Sequence, residues 1–211
     1  MTQTPDDPIK SANEEDLREI LRPYGIELGY VAFSWNRLHD NLANLFEIII
    51  QSPSKGIGTA IWYSTDSDFA QRKMLRSATE KALHIKKDRR EAIIWLLNQV
   101  DDFLRHKRND AMHSPVATAQ GDFGEGETVW VIPDPGSGSP RAKSLWAKER
   151  THVRLVEELK DYGEFANTLA IYSHAMFMTF VAGHPWPQKP KLPHAHRTKI
   201  RKGSSGQNNP K

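Results

Sequence analysis

Between Leu28 and Ile49 apolar residues return every three or four positions, at Leu28, Val31, Trp35, Leu38, Leu42, Leu45 and Ile49. That is the period of a helix burying one stripe. The residues between them, Asn36, Arg37, His39, Asp40, Asn41 and Asn44, then face water, a partner or a site. Gln51-Ser52-Pro53 ends the run, because the residue before a proline resists the helical region. A shorter helix is expected before it, from about Glu14 to Arg22, stopped by Pro23.

Further along, Ile57–Tyr63 suits a brief helical piece, and Asp66 or Ser67 can cap a second main helix reaching about Ile85 with Phe69, Leu75, Ala78 and Ala82 on its apolar side. A third starts near Asp88 and runs through Ile93, Leu97, Val100 and Leu104 to His113, where Ser114-Pro115 stops it. From Glu127 the period drops to two. TVWVIP and SLWAKER are short β-favouring runs joined by the turn-forming DPGSGSPRA. A fourth main helix follows, with Thr151 as its cap, Leu155, Leu159, Tyr162, Ala166, Leu169, Ser173, Met176 and Phe180 in register, and Gly183-His184-Pro185 as its end. The expected fold is all-α, an up-and-down bundle of about four main helices with a β-hairpin near 127–149 inserted between the third and fourth. Residues 1–24 form an N-terminal segment with a short helix, 25–183 the bundle, and 184–211 a basic tail.

Charge separates that tail from the body. Of 29 Lys and Arg, seven lie in 184–211, which holds no acid; the remaining 22 stand against 26 acids, a formal −4 for the body. Rich in Pro and Lys and without apolar period, the tail is expected to be disordered, either a solubilising end or a cationic arm that drifts onto nucleic acid. The chain has no cysteine, which excludes disulfides, thiolate nucleophiles and cysteine-ligated metals. No window approaches eighteen uninterrupted apolar residues, and the start MTQTPDDPIK is unlike a secretory signal. A soluble cytoplasmic protein without a membrane segment is expected. GDFGEGE and PGSGSP lack the Lys-Ser/Thr of a phosphate loop, and the histidines are scattered, so no metal or cofactor is expected; His194 and His196 offer at most adventitious chelation.

The segment densest in reactive groups is RHKRNDAMHSP, Arg105 to Pro115. Arg108, the polar Asn109 beside it, and His113 after four intervening residues resemble the motif of the HEPN superfamily (higher eukaryotes and prokaryotes nucleotide-binding). The Arg-x4-His spacing alone is common in a chain with nine His and fourteen Arg; its weight comes from the end of a long helix, the Asn after Arg, and helical surroundings. The resemblance covers three residues in motif and about 25–183 in architecture. It implies a helical bundle and, for many members, a metal-independent ribonuclease whose two motifs meet across a homodimer interface, in a setting of toxin–antitoxin pairs or phage defence.

The chemistry suits those residue types. Cleaving RNA by transesterification needs a proton shuttle near the 2′-hydroxyl or the leaving oxygen, which His113 can supply, and a cation on the phosphorane, which Arg108 can supply. At a helix end the negative dipole favours the imidazolium. Asn109, four residues before His113 on the same face, can orient the ring or bind phosphate. Arg105, His106 and Lys107 add positive charge for the RNA backbone. Arg108 and His113 stand about 140° apart on an ideal helix, which counts against a site made within one chain. Asp40 and Glu47 are candidates for an acidic partner.

Each residue also has a plainer reading: Arg108 as a surface arginine, His113 as a helix cap, 105–108 as a solvated face. Trp35 reads as core, Trp62, Trp95, Trp130 and Trp146 as packing residues before RNA platforms, and Lys86–Arg90 as a solvated helix start. Two other functions compete with the nuclease: a non-catalytic HEPN-like bundle that binds nucleotide, RNA or a protein partner, and a structural helical adaptor.

Overall fold

The stripe Val31, Trp35, Leu38, Leu42, Leu45, Ile49 is buried along its whole length, and it belongs to one helix longer than the pattern indicated. The computed structural model describes residues 14–52, 54–104, 116–122, 127–133 and 152–193. Helix α1 spans Glu14–Ile49, thirty-six residues with Pro23 inside it, so the expected break at Pro23 does not occur. Proline removes one hydrogen bond to the carbonyl four residues back and costs about 3 kcal/mol in a helix interior. Here Pro23 is exposed, which leaves that carbonyl open to water, and Tyr24 and Leu28 just beyond it already pack on the core.

Helix α2, Ile57–Tyr63, is the brief piece expected. It folds back along α1: Glu47 bonds to the Gly56 and Thr59 amides and Asp40 to Tyr63, so the numbers rise in one helix as they fall in the other. Helix α3, Asp68–Lys81, is capped by Ser67, whose side chain accepts from the Ala70 amide. Leu75 and Ala82 are buried, while Phe69, placed on the apolar side by its spacing, is 67% exposed. Helix α4, Lys87–Phe103, runs antiparallel to α3, as the pairs Arg72–Asp101, Arg76–Asn98 and Arg90–Glu80 show. It is described as far as Leu104; its expected continuation to His113 lies outside the described residues.

Helix α5 spans His152–Ala182 and ends at Gly183, whose φ of +69° is the left-handed turn that glycine takes without a Cβ penalty. Thr151, its expected cap, lies outside the described residues. Trp95 against Tyr172 and Phe103 against Phe165 set α5 antiparallel to α4. Against α1 it runs parallel: Tyr30 meets Gly163, Arg37 bonds Asn167, and Asn41 donates to the Ala170 carbonyl at 2.9 Å. This corrects the expected four-helix up-and-down order, in which the first and last helices would be antiparallel. The short α2 supplies one extra reversal. By length and composition α5 could cross a bilayer over Leu155–Ala182, yet 44% of that stretch is buried inside the bundle, an arrangement compatible with a soluble protein.

The inserted hairpin is also corrected. Strand β2, Glu127–Pro133, holds TVWVIP, but its antiparallel partner is β1, Val116–Asp122, in the register Val116 with Pro133 through Asp122 with Glu127. No described strand corresponds to SLWAKER, which lies with all of 134–150 outside the described residues. The pairing reason is one of length. β1 and β2 are joined by only four residues, a loop that costs little entropy to close, and β2 lies against α1 and α5.

Candidate functional site

Arg105, His106, Lys107, Arg108, Asn109 and His113 all lie outside the described residues, and so do Trp146, His194 and His196. The structure describes what precedes their segment. Phe103 is stacked between Trp35 (6.1 Å) and Phe165 (5.7 Å), and Leu104 is buried. The segment therefore begins from a buried anchor at the end of α4, and its far end leads into β1 at Val116. Helix carbonyls at that end favour cations within about one turn.

One turn before the anchor, Asp101 is held by two arginines of α3. Arg72 Nε donates to it at 2.7 Å and Arg76 at 3.3 Å, while Arg72 also donates to the Asp68 carbonyl at 2.8 Å. Arg72 is buried and Asp101 about one-third exposed, so the desolvated guanidinium is balanced by a carboxylate that keeps some water. Asp101 was not singled out by its spacing, since an Asp-Asp pair near a helix end looks solvated. Neither acidic candidate on α1 is free. Asp40 accepts from the Tyr63 hydroxyl at 2.6 Å; burial first, then this bond and the Asp40 charge, push the phenol up to about 12.

Glu47 accepts from the amides of Gly56 (2.7 Å) and Thr59 (2.9 Å). It thereby neutralises the open amides at the start of α2, which has no side-chain cap of its own. The Gly56 bond above all holds its carboxyl below the usual range. Because the folded-state value is depressed, the stabilisation is complete above the unfolded value near 4.5 and fades as pH falls through the folded one. Glu47→Gln is therefore expected to lower the melting midpoint at neutral pH, with the gap to the parent protein closing in acid. Thermal denaturation of both chains at pH 7 and about pH 3 checks this; an equal gap at both would contradict it.

A polar cluster missed by the sequence lies nearby. His39 Nε2 sits 2.8 Å from Gln71 Oε1 and 3.2 Å from Trp62 Nε1, with an Asp68 oxygen at 3.9 Å. The His39 ring is tilted against Trp35 at 6.0 Å, the same Trp35 that stacks on Phe103. His39 counted as part of the polar side of the first helix; its place one turn after Trp35 was the available signal. Trp35 and Trp62 are core residues, as expected, and Trp62 has no exposed surface.

Past α5 the chain from Gly183 to Pro193 is non-helical and lies on the bundle. Thr179 Oγ1 donates to the Pro185 carbonyl, Trp186 meets Phe180 edge-on under the Arg89 guanidinium, Lys189 stands over Trp95, and Leu192 touches the core. Arg89 and Arg90 thus do more than solvate a helix start. Residues 194–211 lie outside the described residues. Among the described residues no cluster of three or more histidines and carboxylates is placed to hold a metal.

These features define a helical-bundle protein whose motif segment begins from a buried aromatic anchor. Comparison of the chain with family models, curated proteins and solved structures finds no match.

Proposed function

We propose that the chain is a cytoplasmic, metal-independent endoribonuclease resembling the HEPN superfamily, cutting RNA by transesterification in a homodimer. His113 is the general acid and base, Arg108 the clamp on the phosphorane, Asn109 the positioning group, and Arg105, His106 and Lys107 hold the RNA backbone. The observation that supports it is the anchor: Phe103 and Leu104, buried against α1 and α5, fix the point from which RHKRNDAMHSP departs. A catalytic group needs such a rigid support to hold its geometry. A toxin or phage-defence setting, with an antitoxin as protein partner, fits this activity.

The test is purified protein with mixed RNA in excess chelator. Fragments ending in 2′,3′-cyclic phosphate are expected. Intact RNA at micromolar protein would overturn the reading.

A second reading, a bundle that binds without cutting, is favoured by a groove of about 410 Å³ between α3 and α4. Ile94 and Trp95 give it an apolar floor, and Lys87, Arg90, Glu80 and Glu91 ring it with both charges. Retention of RNA or nucleotide with no new ends would select this reading.

A further inference from the structure

The nitrogen His39 Nε2 stands between a group that can only donate and a group that can only accept. The indole Nε1–H of Trp62, at 3.2 Å, has no acceptor capacity. Gln71 Oε1, at 2.8 Å, has no proton. Turning the Gln71 amide over is blocked, because its nitrogen donates to two backbone carbonyls, Trp62 (2.9 Å) and Thr65 (3.0 Å). Turning the imidazole over would present carbon to both partners.

One nitrogen cannot satisfy both. With its proton on Nδ1, neutral His39 accepts from Trp62 and sets a lone pair against Gln71 Oε1. With a proton on Nε2, it donates to Gln71 and leaves the indole N–H facing another N–H. Both partners are buried, so the loser forfeits a bond that water cannot replace. Charge decides between the two. Asp68, at 3.9 Å from the same nitrogen, is the carboxylate facing His39 and favours the imidazolium. Tyr63 from α2 presents its ring edge at 5.9 Å while its hydroxyl is bonded to Asp40, and Arg72 of α3 and Asp101 of α4 are closed on each other.

We propose that His39 is a proton-operated latch: the neutral imidazole is bonded to Trp62 and ties α2 to α1, and the imidazolium is bonded to Gln71 beside Asp68 and ties α3 to α1 instead. Protonation thereby releases one of three polar ties on α2, leaving those from Glu47 and from Asp40 to Tyr63. The exposed Ile57, Ile61 and Tyr63 ride on the helix that is loosened. This inference does not rest on the nuclease reading.

The test is a pH titration of the ¹⁵N-labelled full chain by NMR, following the Trp62 indole N–H and the ring nitrogens of His39 from about pH 5 to 8.5. The two sets of resonances are expected to move together on one single-proton curve. His39→Gln should flatten the Trp62 response, because glutamine offers a donor and an acceptor at once and does not titrate. Three further variants separate the latch from simple loss of packing. Asp68→Asn and Gln71→Met weaken the protonated arrangement and should each move the His39 midpoint to lower pH by about half a unit or more. Trp62→Phe removes the bond to the neutral form and should move it to higher pH. A Trp62 resonance that stays fixed in the parent chain, a transition that survives His39→Gln, or midpoints that do not fall in Asp68→Asn and Gln71→Met would each overturn the proposal. Should Trp62→Phe fail to fold, the other variants still decide.

Discussion

RNA cleavage is expected to fall by about 10²–10⁴-fold in His113→Ala, the span that a positioned general acid or base contributes. Arg108→Ala should lose about 10²–10³-fold, as when one donor to a developing oxyanion is removed. The two groups stand about 140° apart on a regular helix, so a phosphate is reached most simply by the arginine of one copy and the histidine of the other. That geometry gives a sharper expectation than the single variants do. Mixed in equal amounts and allowed to exchange, the two inactive chains should regain roughly a tenth to a half of parental activity, since half of randomly re-formed dimers carry one intact group of each kind. Equal RNA loss with parent and variants would mean a contaminating nuclease. Full loss in each variant with no recovery on mixing would place the whole site in one chain.

Helix period was legible in this sequence, and direction was not. The stripe from Val31 to Ile49, the short α2, the Ser67 cap and the Gly183 end were readable because each rests on local chemistry: a 3.6-residue repeat, a side-chain acceptor at an N-terminus, a left-handed glycine. The parallel course of α1 and α5 depends on α2 acting as a turn, which only the contacts of Glu47 and Asp40 with its two ends reveal. Pro23 misled for a related reason. A proline's cost is local, whereas the packing of Tyr24 and Leu28 that holds the helix together across it is tertiary.

β1 was hidden for the opposite reason. VATAQGD has no apolar alternation and few β-branched residues, and it becomes a strand by pairing with β2. As for chemistry, the motif named Arg108, Asn109 and His113 directly. The His39 cluster could not be named, because its meaning lies in three elements meeting on one nitrogen. A histidine and an asparagine on the polar side of α1 look alike in sequence. In the fold, Asn41 is a buried strut to the Ala170 carbonyl and His39 the contested centre of a hydrogen-bond triangle.

The same substitution should have opposite signs along this chain, and the largest effect on stability is expected at Gly58. A Cβ there would stand 2.5 Å from Glu47 Oε2, 2.8 Å from Glu47 Cα and 2.9 Å from Ile50 Cδ1. The Cα cannot swing aside as a side-chain tip could, so α2 must lift off α1. Lifting strains the Glu47 bonds to Gly56 and Thr59 and draws the fully buried Trp62 out of its place between Phe46 and His39. Gly58→Ala is therefore expected to cost about 2–4 kcal/mol, overpacking plus lost contacts, or a fall of roughly 5–15 °C in Tm for a chain of this size. At Gly25 and Gly29 a Cβ meets nothing within 4 Å, and both lie inside α1, so alanine there should add about 0.5–1 kcal/mol each by restricting the unfolded chain. Thermal denaturation of the three variants decides. If Gly58→Ala melts with the parent, α2 is not seated on Glu47 as the contact geometry requires, and the position of Trp62 beside His39 falls with it.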